Sequence, residues 1–330
     1  MSANQRTCLT MKGEGILETM LPSFSSIPIT MTNEFKVPRR RWGKSNIEIP
    51  VIPFGTQGFG NNFGFVSDDD ACKLIRRAVD IGVNHFDCAL CYGDSVRKLG
   101  LAIRTGVIKR SEVIISGRVC CHGRGDIDYS AEHAISDAEK QLEMLSMDYF
   151  DAVFIHDPGQ IEPTLAKDGT LDGLLKLKNR GLVRNVGYGM NPHDSHLKAI
   201  ETGDVDVLLT FNDYNLLRQT AADDILPAAA AKDIGVLNGW SIMRGILTGI
   251  DLSSRDKSNA DVARAIKMRQ WCIEEGTSLL ALALQFCLRE ERIHGNPIGN
   301  LNIEQLEMNA RAVSEPLPPD IFKRFGAQNF

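Results

Sequence analysis

The sequence predicts an α/β protein: a (β/α)8 TIM barrel with a short N-terminal hairpin and a flexible N-terminal extension. Three observations predict it. From residue 51 onward short apolar runs alternate with segments of helical period, and eight such units can be counted. The runs end in polar residues or glycine, as barrel strands do at the face where the connecting loops gather. No Pro/Gly/Ser linker interrupts the alternation, so residues 38–330 read as one domain and residues 1–37 as the extension.

In chain order, residues 1–37 mix Ser, Thr, Pro and Met with isolated charges and hold no sustained period. Glu14, Glu18 and Glu34 speak against an organellar transit peptide. Trp42-Gly43 with Ile47, Ile49 and Val51-Ile52 has the pattern of a hairpin leading into a first strand that ends at Phe54-Gly55-Thr56-Gln57-Gly58-Phe59-Gly60. Gly58 would let backbone approach a ligand; the same glycines also suit a loose turn, and no phosphate-loop lysine accompanies them. Ser67, ahead of three aspartates, caps a helix whose Ala71, Leu74, Ile75, Ala78 and Val79 share a face, and Gly82 stops it. Strand two ends at Asp87. A helix over 95–105 follows, then a β-branched strand Val113–Ser116 ending at Gly117-Arg118. The next units are a helix from Ser130 and strand Tyr149–Ile155, a helix 171–180 and strand Val183–Tyr188, a helix 194–201 and strand Val205–Phe211, and a helix 221–232 and strand Gly235–Asn238. After a longer insertion come a helix 277–289, a strand near 293–298 and a helix 303–312.

A net charge of -5 offers no general attraction for nucleic acid or anionic lipid, and Pro38-Arg39-Arg40-Arg41 reads as a solvated strand start rather than a binding patch. No apolar stretch is long enough to span a membrane. Eight cysteines scatter through apolar patterns, as reduced thiols of the cytoplasm do. Cys88 and Cys91 have C-x-x-C spacing, but no second pair or histidine cluster follows in sequence, so no metal site is expected.

In a barrel of this kind the strand ends collect at one face: Asp87 and Tyr92 after strand two, Arg118 after three, His156 after four, Asn191 after five, Asn212 after six and Trp240 after seven. A cation near a phenol lowers its pKa, a carboxylate holds the cation, and a histidine orients a carbonyl: a set suited to carbonyl–alcohol chemistry. The plainer reading has Asp87 fixing its loop and Tyr92 as a rim aromatic.

The stretches FDCALCYGDSVRKLGLAI, VIISGRV, FDAVFIHDP, NVGYGMN, GVLNGWSIMRGILTG and PIGNLNIEQLEMNA, in this order, resemble the aldo-keto reductase superfamily from about Arg41 to near the end. His156-Asp157-Pro158 and Asn212-Asp213-Tyr214-Asn215 look closer to its sugar 1-dehydrogenases than to its steroid and aldose reductases. The resemblance implies a nicotinamide cofactor and catalytic roles for Asp87, Tyr92 and His156, with Tyr92 as general acid/base. The family's lysine falls on Arg118, where Gly117-Arg118 stands for the usual Thr-Lys. Trp240 matches the position that stacks on the nicotinamide, or is an interior aromatic. Ser241, Met243, Arg244, Gly245 and Leu247 match the loop over the pyrophosphate, and Gly299, Asn300 and Asn302 the anion site at the last helix.

Several positions depart from the family pattern. The Ser-Asn pair that holds the nicotinamide amide falls on Gly189-Met190, with Asn191 one step late, and the Arg and Glu of the adenosine end fall on Gln305 and Met308, while Asn309 is kept. Without that arginine a 2′-phosphate loses a bidentate partner, so NAD is expected over NADP. His122, Arg124 and Asp126 would border the substrate pocket or be ordinary loop residues. The expected partner is a sugar-like small molecule, with neither nucleic acid nor membrane; oligomeric state is left open. Two other readings remain: a non-redox isomerase or lyase, and a cofactor-binding protein with little turnover.

Overall fold

The computed structural model describes residues 36–61, 63–121 and 128–330, which belong to the compact unit Phe35–Phe330. All but the last two residues of the expected extension, and His122, Arg124 and Asp126, lie outside the described residues.

The chain opens with β1 (Arg39–Arg41) and β2 (Glu48–Pro50), an antiparallel pair with Arg40 opposite Ile49. The barrel strands are β3 (Phe54–Gly55), β4 (His85–Asp87), β5 (Ile114–Val119), β6 (Ala152–His156), β7 (Val186–Gly189), β8 (Val207–Phe211), β9 (Gly235–Gly239) and β10 (Ile298–Gly299). They form one parallel sheet in the order β10-β3-β4-β5-β6-β7-β8-β9. Asn238 N–H to Gly295 O (2.8 Å) and His294 N–H to Val236 O (2.9 Å) join its two ends and close the ring. The helices between strands are α1 (Asp68–Asp80), α2 (Ser95–Arg104), α3 (Ala131–Leu145), α4 (Glu162–Leu165), α5 (Thr170–Asn179), α6 (His193–Glu201), α7 (Ile225–Ala231), α8 (Ala260–Glu274) and α9 (Leu279–Arg289); α10 (Ile303–Ala312) and α11 (Ile321–Gly326) follow. The predicted (β/α)8 barrel and hairpin are therefore present.

Four local expectations change. Strand β5 runs past Ser116 to Val119, so Arg118 lies inside a strand rather than on a loop. Gly117 is not a terminator: a Cβ there would sit 2.8 Å from the Phe150 ring, and the missing side chain makes room for that ring. The last strand is shorter than 293–298, because Pro297 has no N–H for the ladder and β10 pairs only with Phe54-Gly55. The insertion contains α8, capped by the Asn259 side chain on Asp261 and Val262 N–H, with Val262, Ala265, Met268 and Cys272 on its buried face.

Two layers of core flank the strands, one outside the ring and one inside it. Leu74, Ile75, Phe86, Leu99, Ile115, Phe150 and Val186 fill the space between strands and helices. Inside the ring, Ala152, Phe154, Val207, Leu209 and Leu237 meet Trp42 and Ile49 from the hairpin. Trp42 is fully enclosed, 5.1 Å from the His85 ring and 6.1 Å from Phe154 between ring centres. His85, Ala152, Val207 and Gly235 each begin a strand, so the hairpin plugs the end of the barrel where strands start. The arginine run fastens it: Arg39 donates to Asn84, Arg40 to Ile293 O, and Arg41 pairs with Asp233 at 2.8 Å.

Candidate active site

At the opposite end, β4, β5 and β6 bring the expected polar residues together. Asp87 ends β4 with its side chain pointing into the ring, and Arg118, from β5, meets it: Nη2 lies 2.6 Å from Oδ2, and Nε 3.3 and 3.2 Å from the two carboxylate oxygens. Ser116, two residues earlier on the same face of β5, donates its hydroxyl to Asp87 Oδ1 (3.1 Å) and also contacts His85 Nε2 (3.1 Å). The His85 ring is wholly buried, and burial lowers its pKa to about 4, so it is neutral.

Tyr92 stands above this pair on the loop after β4. Gly60 fixes that loop, since a Cβ at Gly60 would fall 2.3 Å from Tyr92 O. Thr56 Oγ1 donates to Asp87 O (2.8 Å) and shares a hydrogen bond with Ser95 (2.8 Å), tying the turn after β3 to the start of α2. The Arg118 guanidinium is 5.7 Å from the Tyr92 ring centre, and the His156 ring, at the end of β6, meets Tyr92 edge-on at 5.7 Å. Burial raises the Tyr92 pKa; Arg118 opposes this without cancelling it, so the phenol stays protonated through neutral pH. Burial works against the Arg118 charge, yet Asp87 more than offsets it and the guanidinium is held more firmly charged than usual. His156 Nδ1 faces two thiols, Cys121 Sγ at 3.0 Å and Cys91 Sγ at 3.4 Å. The buried Lys98 ammonium is not part of this group: it donates to Phe59 O (2.9 Å) and Val66 O (2.6 Å).

The expected cofactor residues divide. Trp240 follows β9 with its ring 5.4 Å from Phe211, and Arg244 lies 5.2 Å over that ring and 5.7 Å over Phe63. No carboxylate among the described residues pairs with Arg244. Gly245 (φ 97°) has open space where a side chain would be. Ser241 Oγ and Asn309 Oδ1 are buried with no hydrogen-bond partner in the protein. Asn309 Nδ2 donates to Asn300 Oδ1 (2.8 Å), and Gly58 packs against Leu301 and Asn300, so these residues form one edge with Gly299, which pairs with Gly55. An exposed unpaired cation, unmet buried oxygens and an open backbone turn at Gly245 fit the expectation of a dinucleotide along this rim.

Other side chains are already engaged. Asn191 donates to Phe211 O (2.7 Å) and to the Asp213 carboxylate (3.2 Å), and the Asn212 carboxamide accepts from Arg218. Leu247 is buried in a separate core with Met268 and Trp271, so only its backbone is available, and Met243 is mostly enclosed with its sulfur accepting from Asn215. Asn302 caps α10 by accepting from Gln305 N–H (2.8 Å), while Gln305 Oε1 accepts from Leu301 N–H (2.9 Å). Sequence reasoning did not single out Phe63 or Cys121, and it named Asp213 only within a motif, without a role. Only Cys121, beside the strand end at Arg118, carried a positional signal.

The chain matches the Aldo/keto reductase family over residues 51–328. It is 29% identical over 288 residues to L-galactose dehydrogenase of Arabidopsis thaliana, covering 85% of this chain and 89% of that one. It is 24% identical over 309 residues to D-threo-aldose 1-dehydrogenase of a Pseudomonas species, covering 84% and 93%. Among solved structures it is similar in fold to an aldo-keto reductase from Bacillus halodurans in its holo form, with a TM-score of 0.73 at 20% identity over 88% of this chain and 95% of that one.

Proposed function

The chain belongs to the aldo/keto reductase family, and from that premise we propose an NAD-dependent dehydrogenase that interconverts an alcohol and a carbonyl on a sugar-like substrate, with Tyr92 transferring the proton. The observation that carries this reading is the placement of Tyr92 between Arg118 and His156, each 5.7 Å away, over a guanidinium fixed by Asp87. The two sugar dehydrogenases among its relatives supply the substrate class.

A nicotinamide dinucleotide bound along this rim would supply or accept the hydride. Arg244, Ser241, Asn300 and Asn309 would hold the dinucleotide, with Trp240 beside its nicotinamide end. Tyr92 donates its phenolic proton to the substrate oxygen in reduction and takes it back in oxidation. Arg118 stabilises the phenolate through its field and is kept in place by the Asp87 fork, a task the family gives to lysine. His156 borders the substrate oxygen and orients it. Gln305 and Met308 offer no cation for a 2′-phosphate, and Arg77 and Arg311, both paired with Glu307 of α10, are already engaged, which favours NAD.

Titration with NAD, NADP and their reduced forms, followed by a screen of aldoses and polyols, tests the reading. Tyr92→Phe should abolish hydride transfer with dinucleotide affinity nearly unchanged; unaltered turnover would remove Tyr92 from the mechanism. A non-redox proton transfer on the same barrel is the second reading, favoured by Asn191 being tied to Asp213 rather than free to bind a carboxamide. Product formed without change in nicotinamide absorbance would select it. The buried thiols of Cys120, Cys272 and Cys287, each pushed up to about 12 by burial, suit the cytoplasm.

A further inference from the structure

The C-x-x-C spacing that catches the eye in sequence does not form a pair in space: Cys88 turns wholly into the core. Cys91 instead meets Cys121 and His156, which lie on two other loops and strand ends, His156 being 65 positions away in the chain. Their three ligand atoms, Cys91 Sγ, Cys121 Sγ and His156 Nδ1, all lie within 4.8 Å of one another. From this convergence we propose that the three residues bind a thiophilic divalent cation, zinc first, with the fourth position open toward the mouth of the barrel.

The geometry is close to what such an ion requires. Tetrahedral zinc, with Zn–S of about 2.3 Å and Zn–N of about 2.05 Å, sets S···N at about 3.6 Å and S···S at about 3.8 Å. The observed S···N separations are 3.0 and 3.4 Å, so seating the ion moves these atoms by tenths of an ångström. The ring nitrogen faces both sulfurs at once, the arrangement of three donors around one centre. It can serve both as co-ligand of one metal. The chemistry of the set is also that of an ion with a reactive face, because two cysteines and one histidine leave a tetrahedral centre one vacant position.

Access and charge agree with binding. Cys121 is buried, whereas Cys91 and His156 are half-exposed, which gives an ion a route in. Two thiolates cancel a divalent charge, so the filled site adds no net charge beside the Asp87–Arg118 pair. Cysteine binds such an ion as thiolate, so binding must release protons. His156 also belongs to the proposed catalytic group, so the ion would sit where the substrate oxygen is expected.

The test uses the full chain, stripped with chelator and kept in a non-thiol reductant, then titrated with Co²⁺ as a spectroscopic probe and with Zn²⁺ against a chromophoric chelator. One equivalent should bind with a thiolate-to-cobalt charge-transfer band and the intense visible bands of a tetrahedral ion. Affinity should rise by up to about a hundredfold per pH unit while two protons leave. Cys121→Ser should weaken zinc by at least about a hundredfold, with an unchanged far-UV circular dichroism spectrum showing that the variant folds. Absence of the charge-transfer band in the parent chain, or its persistence in a Cys91→Ser/Cys121→Ser double variant, overturns the proposal. The spectrum reports the ion and not turnover, so this outcome and that of the dinucleotide titration are read separately.

Discussion

Arg118 Nη2 lies 2.6 Å from Asp87 Oδ2, and both side chains are almost entirely enclosed. Each charge is tolerated there only because of the other. Asp87→Asn should therefore cost about 3–5 kcal/mol of unfolding free energy, since it strands a buried guanidinium. An Asp87→Asn/Arg118→Met pair should recover much of the stability and none of the activity. Denaturant unfolding of the three variants checks both statements.

Arg118→Lys should retain or raise hydride transfer if Arg118 does the work of the family lysine, whereas Arg118→Met should lower kcat by at least about tenfold. A complete loss in Arg118→Lys would show that the planar fork has a task of its own. Steady-state kinetics with the best substrate from the screen distinguishes these outcomes.

Tyr92 has its pKa raised by burial against the pull of Arg118. Reduction needs the protonated phenol, so its kcat/KM should stay level through neutral pH and fall only above the ordinary tyrosine range; oxidation should climb with pH over the same span. Arg118→Met should move both limbs further up, as seen in pH profiles run in the two directions.

His85 and His196 are wholly buried and lowered to about 4 from 6.5, desolvation being the main cause in each. Between those values the unfolded chain binds protons that the folded chain refuses. Stability should accordingly fall as pH drops from about 6.5 toward 4, by up to about 3 kcal/mol for each ring. Denaturant midpoints across this window, with proton uptake on unfolding, measure the effect.

Gln305→Arg would place a fork where the adenosine end is expected and give up the Leu301 cap. NADP affinity should improve roughly tenfold relative to NAD. Fluorescence titration of the variant with both dinucleotides reads it directly.

The barrel was legible because its signals are local: a cap at Ser67, a β-branched run at 113–116 and a stop at Gly82 each carry their meaning within a few residues. Asp87, Tyr92, Arg118 and His156 converge because strand ends must meet at one face. What could not be read was long-range occupation. Nothing near Asn191 in sequence announces that Asp213, 22 residues on, will take its amide. The same holds for Cys91, whose partner in sequence spacing is Cys88 and whose neighbours in space are Cys121 and His156. Gly117 misled because a glycine at a strand end and one making room for a ring look alike in sequence.

Among the described residues, Trp42 and its arginine-fastened hairpin shut one end of the ring and leave the end that bears Asp87, Tyr92 and His156 as its doorway. Whatever enters must back out along its own path, and a departing product contests the threshold with the next arrival. Traffic through that doorway, more than the barrel behind it, should then set the pace whenever product accumulates, and the loops bearing Phe63, Trp240 and Arg244 are its frame.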